Sequence, residues 1–150
     1  MLFNELELQP VILKSLERKW YTTPTEIQEK TIQAFTSGKH IVGQSQTGTG
    51  KTAAFVIPLI NAIDPKSRGV QVVVMCPTRE LATQTEEEFF NLSRWLIGIK
   101  TCIVTGGMSS RRQQEKLQQG AQIVIATPGR LMDLIDKRII DMKKVQYVVL

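Results

Sequence analysis

The sequence predicts a doubly wound α/β domain with a mostly parallel sheet. Five short runs rich in β-branched residues recur along the chain, at residues 40–44, 70–76, 100–106, 122–127 and 145–150. These runs are almost continuously apolar, as expected of strands that are buried on both faces of a parallel sheet. Stretches with helical character separate the runs, and such alternation is typical of α/β folds.

Length and composition indicate one globular domain. The chain has 150 residues, of which 42% are hydrophobic, and this is enough for a single core. Its 19 Lys and Arg exceed its 14 Asp and Glu, giving a net charge of +5. The excess favours a polyanionic partner such as nucleic acid, although a mildly basic protein of another kind fits the charge equally well. No apolar run approaches the roughly 18 to 20 residues of a membrane span, so no membrane partner is expected.

The cysteines indicate a reducing compartment. Cys76 and Cys102 lie in apolar runs, where we expect buried, reduced thiols and therefore a cytoplasmic location. Two cysteines without a CxxC pair, together with the lone His40, do not make a zinc site. The first residues lack the basic and apolar segments of a secretory signal.

Helices are predicted on both sides of the first apolar run. Two precede it and four follow it, at residues 9–19, 25–36, 50–63, 79–97, 109–119 and 129–137. Thr23, Pro24 and Thr25 are expected to form the cap and first turn of the second helix. Leu117 is expected to be the main apolar contact of the polar fifth helix. Because ligands bind at the carboxyl ends of strands in such sheets, the loops after each run are the expected functional positions.

The loop after the first run has the composition of a phosphate-binding loop. It reads SQTGTGKT, which follows the pattern G-x-x-x-x-G-K-[ST] except for Ser45 in place of the first glycine. Gly48 and Gly50 allow backbone N–H groups to surround an anion, and the following helix N-terminus adds positive charge. Lys51 is expected to reach the β- and γ-phosphates, and the Thr52 hydroxyl to coordinate Mg²⁺. The loop therefore predicts a nucleoside triphosphate without specifying its base.

Three further loops follow the next three runs. They read CPTRELA at 76–82, TGG at 105–107 and ATPGR at 126–130. Their hydroxyl, glycine and arginine groups suit the phosphodiester backbone of a nucleic acid. One such loop would be ordinary turn chemistry, but three at the same edge of a sheet favour a binding function.

These motifs together resemble the DEAD-box RNA helicases. SQTGTGKT, PTRELA, GG and TPGR occur in the family's order and spacing, and the resemblance covers the whole chain. YTTPTEIQ at 21–28 is similar to the family's adenine-recognising Q motif, with Phe3 as its isolated upstream aromatic. The resemblance implies an N-terminal RecA-like P-loop NTPase domain over residues 1–150, with ATP and Mg²⁺ as cofactors.

The resemblance also implies roles for individual residues. Gln28 would bond the adenine edge, Tyr21 and Phe3 would pack near the base, and Thr23 would add a backbone contact. Tyr21 and Phe3 have a plain core role as their alternative. The residues implied to hold phosphates and metal are Thr47, Gly48, Thr49, Gly50, Lys51 and Thr52. The residues implied to contact the backbone of single-stranded or duplex RNA are Thr78, Arg79, Gly107, Thr127, Gly129 and Arg130.

Two positions depart from the family's pattern. Trp20 stands where the Q motif usually opens with glycine, and Thr23 occupies a position that is often basic. Both departures concern the details of the adenine pocket.

Phosphoryl transfer also needs a carboxylate to help hold Mg²⁺. In the family this group belongs to an acidic quartet directly after the strand that resembles residues 145–150, and the sequence ends at Leu150. The resemblance therefore implies a domain incomplete at its C-terminal end, whose parent chain has a second RecA-like lobe. The parent would unwind RNA by ATP-driven lobe closure, whereas the 150 residues alone are expected to be inactive.

Three other functional classes make different demands on the sequence. A small phosphate-loop nucleotide kinase would need a lid and an acceptor site, for which no residues are found. A DNA helicase of related fold is disfavoured by PTRELA and TPGR. A stand-alone nucleotide- or RNA-binding module without catalysis remains the alternative.

Overall fold

The computed structural model describes residues 1–150 and confirms the α/β architecture, with a four-stranded parallel sheet and six α-helices. The helices are α1 (Pro10–Arg18), α2 (Glu26–Thr36), α3 (Lys51–Ala62), α4 (Arg79–Leu92), α5 (Ser110–Gln118) and α6 (Pro128–Asp136). The strands are β1 (Val72–Met75), β2 (Thr101–Val104), β3 (Ile123–Ala126) and β4 (Tyr147–Val149). Two 3₁₀ turns occupy Phe3–Glu5 and Met142–Lys144.

The sheet has the strand order β2-β3-β1-β4, and every neighbouring pair is parallel. Val73 of β1 lies between Val124 of β3 and Val148 of β4. The inner strands β1 and β3 are buried on both faces, as their apolar runs predict. The same prediction is wrong for β4, where Val148 is 55% exposed. As an edge strand, β4 has a neighbour on one side only.

The chain divides into two compact units, each with its own buried residues. The first unit comprises residues 1–62 and 91–96, and in it α2 packs against α3. Its fully buried side chains include Ile12, Leu16, Ile57 and Ile60. The second unit comprises residues 63–90 and 97–150 and contains the sheet. Its core cluster includes Val70, Val73, Cys102, Val104, Val124, Leu131, Leu134 and Ile140.

The strand predicted at residues 40–44 is wrong. This segment is not a strand, none of the four strands pairs with it, and Val42 is fully exposed. Its β-branched composition favours an extended backbone, but a strand forms only where a neighbour supplies the ladder of hydrogen bonds. The segment therefore leads into the loop at 45–50 without pairing to any strand.

Two differences from the predicted helix ends have a clear structural cause, and the other shifts amount to one residue each. Thr25 alone is the N-cap of α2, since its hydroxyl accepts from Gln28 N at 3.5 Å while Gln28 Oε1 accepts from Thr25 N at 3.0 Å, a reciprocal capping box. Helix α4 ends at Leu92 rather than at residue 97. There the Leu96 N–H bonds the Ser93 carbonyl at 2.8 Å, so a tight turn replaces the helical pattern.

Buried glutamines join backbone segments beside the starts of β1 and β3. Gln71 is 5% exposed and uses its amide as acceptor and donor to Asp64 N and O, at 3.0 and 2.9 Å. Gln122 is 3% exposed, accepts from Lys100 N at 2.8 Å and donates to Gly98 O at 2.8 Å. Each amide thus satisfies backbone groups that no strand neighbour reaches.

Both cysteines are buried, as predicted, with Cys76 3% and Cys102 0% exposed. Burial raises the pKa of the Cys102 thiol to about 11 and also raises the pKa of Cys76.

Among the helices, none combines the length and the apolar character that crossing a membrane would require.

Candidate phosphate-binding site

The loop from Ser45 to the start of α3 has two left-handed glycines directly before a helix N-terminus. Gly48 and Gly50 adopt left-handed φ values of 81° and 82°, which L side chains rarely tolerate. A Cβ at Gly48 would meet no atom within 4 Å, so the backbone there faces open space. Helix α3 begins at Lys51 and adds the partial positive charge of its N-terminus. These features fit a phosphate group.

Side chains of the loop hold it together. The hydroxyls of Ser45 and Thr49 lie 2.6 Å apart, and the Thr49 hydroxyl is 2.7 Å from the Gln46 carbonyl. The Lys51 ammonium donates to the Ser45 carbonyl at 2.8 Å and is otherwise exposed. Ser45, the departure from the glycine pattern, thus contributes a hydroxyl contact of its own. Lys51 can exchange a single carbonyl partner for a phosphate oxygen.

The segment at 21–28 is fastened to this loop by two hydrogen bonds. The Gln28 side chain is 4% exposed, and its Nε2 donates to the Gly50 carbonyl at 3.2 Å. The Thr25 hydroxyl donates to the Thr49 carbonyl at 3.0 Å. A Cβ at Gly50 would overlap Gln28 Nε2, so a side chain there would displace the Gln28 amide in addition to the strain of its φ. The cap of α2 and the phosphate loop therefore form one bonded structure.

The aromatic residues named from the sequence lie in different environments. Phe3 is 3% exposed, and its N–H bonds the Thr22 carbonyl at 3.5 Å, which places it against the segment at 21–28. Tyr21 is half-buried, with the Lys19 ammonium 5.1 Å from its ring centroid. Thr23 is exposed.

Trp20 adopts a left-handed backbone with φ 60° directly after the C-cap of α1. Its side chain is 89% exposed. Glycine is the residue that favours this conformation after a helix, so Trp20 carries a backbone strain that glycine would not.

In the second unit, the loops that follow β1, β2 and β3 approach one another. Thr78 caps α4, since its hydroxyl accepts from Leu81 N at 3.2 Å. The Arg79 Nη1 lies 3.5 Å from the point where a Cβ on Gly107 would stand. Thr127 is the N-cap residue of α6, and its N–H bonds the Val104 carbonyl at 3.0 Å. Next along α6, a Cβ at Gly129 would meet no atom within 4 Å.

Arg130 is held by partners within the chain. Its side chain is 18% exposed, and its Nε donates to Gln113 Oε1 at 3.2 Å. Its Nη1 donates to Asp133 Oδ2 at 2.6 Å, and its Nη2 donates to the Ser110 hydroxyl. A guanidinium has five N–H donors, so two remain for another acceptor.

Sequence reasoning missed Gln113, which is 2% exposed on the inner face of α5. Its Nε2 donates to the Thr105 carbonyl at 3.1 Å. Leu117, the expected main apolar contact, is only partly buried against the core. The available signal was the spacing of these two residues, because positions i and i+4 share one face of a helix.

Residues 25–150 match the DEAD/DEAH box helicase family. The chain belongs to this family. The match confirms the resemblance drawn from SQTGTGKT, PTRELA, GG and TPGR.

Similar proteins include ATP-dependent RNA helicases from bacteria. The chain is 42% identical over 150 residues to the ATP-dependent RNA helicase CshA of Limosilactobacillus reuteri, covering 100% of this chain and 30% of that protein. It is 45% identical over 148 residues to CshA of Listeria monocytogenes, covering 99% and 28%. It is 40% identical over 148 residues to DeaD of Mycobacterium tuberculosis, covering 99% and 26%. The chain thus spans less than a third of the length of these relatives.

A solved structure supports the same conclusion about the fold. The crystal structure of a DEAD box protein from the hyperthermophile Methanococcus jannaschii matches with a TM-score of 0.91 and 38% identity. The match covers 99% of this DEAD/DEAH box chain and 40% of that structure. The predicted RecA-like fold is therefore confirmed.

Proposed function

We propose that residues 1–150 form the N-terminal RecA-like lobe of an ATP-dependent RNA helicase and bind ATP, Mg²⁺ and RNA. The observation that carries the proposal is the pair of bonds from Gln28 and Thr25 to the carbonyls of Gly50 and Thr49. They join the segment resembling an adenine-recognition motif to the loop that fits a phosphate. One nucleotide could therefore be bound by both at once.

The remaining hydrogen-bonding capacity of Gln28 matches adenine. Its amide uses one N–H toward Gly50 and one oxygen lone pair toward Thr25 N. One donor and one acceptor are left. The N6 amino group of adenine donates and its N7 accepts, whereas guanine presents two acceptors, O6 and N7, at this edge. Phe3 and Tyr21 would pack near the base, and Thr23 would add its backbone contact.

The nucleotide phosphates and Mg²⁺ would bind at the loop and the first turn of α3. Thr47, Gly48, Thr49 and Gly50 would direct backbone N–H groups at the phosphates, and Lys51 would supply its ammonium. The chain has no group of three His, Cys, Asp or Glu residues that could hold a metal ion by themselves. Because Mg²⁺ is commonly held by few protein groups together with nucleotide phosphates and water, the half-buried Thr52 hydroxyl suits it.

RNA would bind at the loops that follow β1, β2 and β3. Thr78, Arg79, Gly107, Thr127 and Gly129 offer hydroxyl, guanidinium and backbone groups without reading base edges. Such contacts suit the backbone of a single strand or a duplex of any sequence. Arg130 would contribute its two unused donors.

The activity of the whole protein is part of the same proposal. A second RecA-like lobe would complete the ATP site, and ATP-driven closure of the two lobes would separate RNA strands in the cytoplasm. The 150 residues alone would bind nucleotide without hydrolysing it.

Calorimetric titration with ADP and GDP, each with Mg²⁺, tests the proposal. We expect ADP to bind and GDP to bind more weakly, Lys51→Ala to abolish binding of both, and Gln28→Ala to reduce the preference. Lys39→Ala and Gln33→Ala are matched controls, since both residues are exposed and lie outside the loop. Equal affinity for ADP and GDP would contradict the adenine assignment, and the absence of binding would contradict the nucleotide site itself.

A further inference from the structure

We propose that Gln113 is a positioning residue for RNA binding, acting through Arg130. The inference rests on the proposed function and assigns a role to a residue outside the motifs that carry the family resemblance. Gln113 lies on α5, between the end of β2 and the start of α6. The expected RNA contacts include residues in the loop after β2 and in the first turn of α6.

The geometry of the Gln113 amide carries the inference. Its Nε2 donates to the Thr105 carbonyl at 3.1 Å, directly before the Gly106-Gly107 pair. Its Oε1 accepts from Arg130 Nε at 3.2 Å. One buried side chain therefore bonds to both the loop after β2 and the first turns of α6. A change in its position would be transmitted to both.

The main chain of Gln113 is anchored as well. The Cys102 thiol lies 3.6 Å from the Gln113 carbonyl, and Cys102 is fully buried in β2. A glutamine that is 2% exposed and bonded at both ends has little freedom to change rotamer. It therefore presents a fixed acceptor to Arg130.

The bond at Nε determines how Arg130 is presented to a ligand. Gln113, Asp133 and Ser110 each accept from a different nitrogen of the guanidinium and so fix its plane. Without the acceptor at Nε, Arg130 could turn toward Asp133, with which it forms an ion pair at 2.6 Å. The two unused donors would then lose their direction toward an RNA phosphate.

The test compares RNA and nucleotide affinity in the full 150-residue chain. Gln113→Met fills nearly the same space without polar atoms, and Gln118→Met changes an exposed glutamine of the same helix. The RNA probe is a fluorescein-labelled uridine 12-mer at low salt, measured by anisotropy, and ADP affinity is measured by calorimetry. We expect Gln113→Met to weaken RNA binding about fivefold to tenfold, which lies within the net value of one ordinary hydrogen bond. ADP affinity and the Gln118→Met control should not change.

A double-mutant cycle separates positioning from a general structural effect. If Gln113 acts through Arg130, adding Gln113→Met to the Arg130→Met variant should lower RNA affinity by less than about twofold. Equal losses in both backgrounds, or wild-type RNA affinity in Gln113→Met, would overturn the inference alone. Failure of the wild-type chain to bind the probe would instead overturn the proposed RNA-binding function and the inference with it.

A second variant covers the case in which Gln113→Met does not fold. Arg130→Lys keeps the positive charge but has no Nε–H donor for Gln113, so its cation is no longer oriented. We expect its RNA affinity to fall nearly as far as that of Arg130→Met. Wild-type affinity in Arg130→Lys would show that orientation by Gln113 is not needed and would overturn the inference.

Discussion

Gln28 Nε2 lies 3.2 Å from the Gly50 carbonyl oxygen, and a Cβ at position 50 would overlap this amide and force it to move. The φ of 82° at Gly50 is a second obstacle to any L residue. The loop thus depends on one glycine for two separate reasons, which mutations can distinguish.

Gly50→Ala should destabilise the chain by more than the roughly 1–2 kcal/mol of a left-handed alanine, because the overlap with Gln28 adds to that cost. Gly38→Ala is the matched control, since Gly38 has a φ of 70° and a Cβ there would meet no atom within 4 Å. Urea denaturation of both variants gives the comparison. Equal losses would show that the Gln28 contact has no energetic weight.

Shortening Gln28 should partly relieve the clash. We expect the double variant Gly50→Ala with Gln28→Ala to lose less stability than the two single variants lose in total, since the methyl group then has space. The same urea midpoints measure this coupling. Strict additivity would contradict the overlap geometry.

Trp20→Gly should raise stability by about 1 kcal/mol, because glycine adopts the left-handed conformation without the Cβ penalty. Little packing is lost, since the Trp20 side chain is 89% exposed. Trp20→Ala is the control, because it removes the same ring but retains the backbone strain. The result expected from the geometry is a higher thermal midpoint for Trp20→Gly only, and a similar rise for Trp20→Ala would assign the gain to the ring.

Thr105→Val should stabilise the chain by about 1 kcal/mol. The Thr105 hydroxyl is fully buried and has no hydrogen-bond partner, and valine has nearly the same shape without the polar group. Thr85→Val is the opposite case, because the Thr85 hydroxyl is buried and donates to the Leu81 carbonyl at 2.8 Å. Denaturation curves should shift in opposite directions, and shifts of the same sign would contradict this explanation.

Stability should fall as the pH rises from about 9 to about 11, in part because of Cys102. Burial raises the pKa of this thiol from 9.0 to about 11 in the folded chain. In that window the unfolded thiol has released its proton while the folded thiol retains it, so ionisation favours the unfolded state. Urea midpoints across this range should decline more steeply for the wild type than for Cys102→Ala. Parallel curves would show that Cys102 does not contribute.

The sequence predicted the strands well where each apolar run has a neighbour. The runs around Val73, Cys102 and Val124 became adjacent parallel strands. The run at 40–44 has the same composition but no partner, and composition alone does not reveal whether a partner exists.

The candidate site was predictable as a set of motifs but not as a network. Gln28 and Gly50 are 22 positions apart, and nothing local indicates that they bond. Gln113 escaped notice because glutamine is usually exposed, and its burial depends on Arg130 and Thr105, which lie on other elements. Arg130 was expected only to contact RNA, whereas three internal partners hold it.

The buried glutamines have a consequence for spectroscopy. In a solvent-exposed glutamine, the side-chain amide hydrogens exchange rapidly with water. Gln28, Gln71, Gln113 and Gln122 are each at most 5% exposed and each donate to a backbone carbonyl. Their hydrogens exchange only when the junction that they bridge opens. In a ¹⁵N-labelled chain, the exchange rates of these four amides would report separately on the opening of the loop at 45–50, the starts of two strands and the loop after β2.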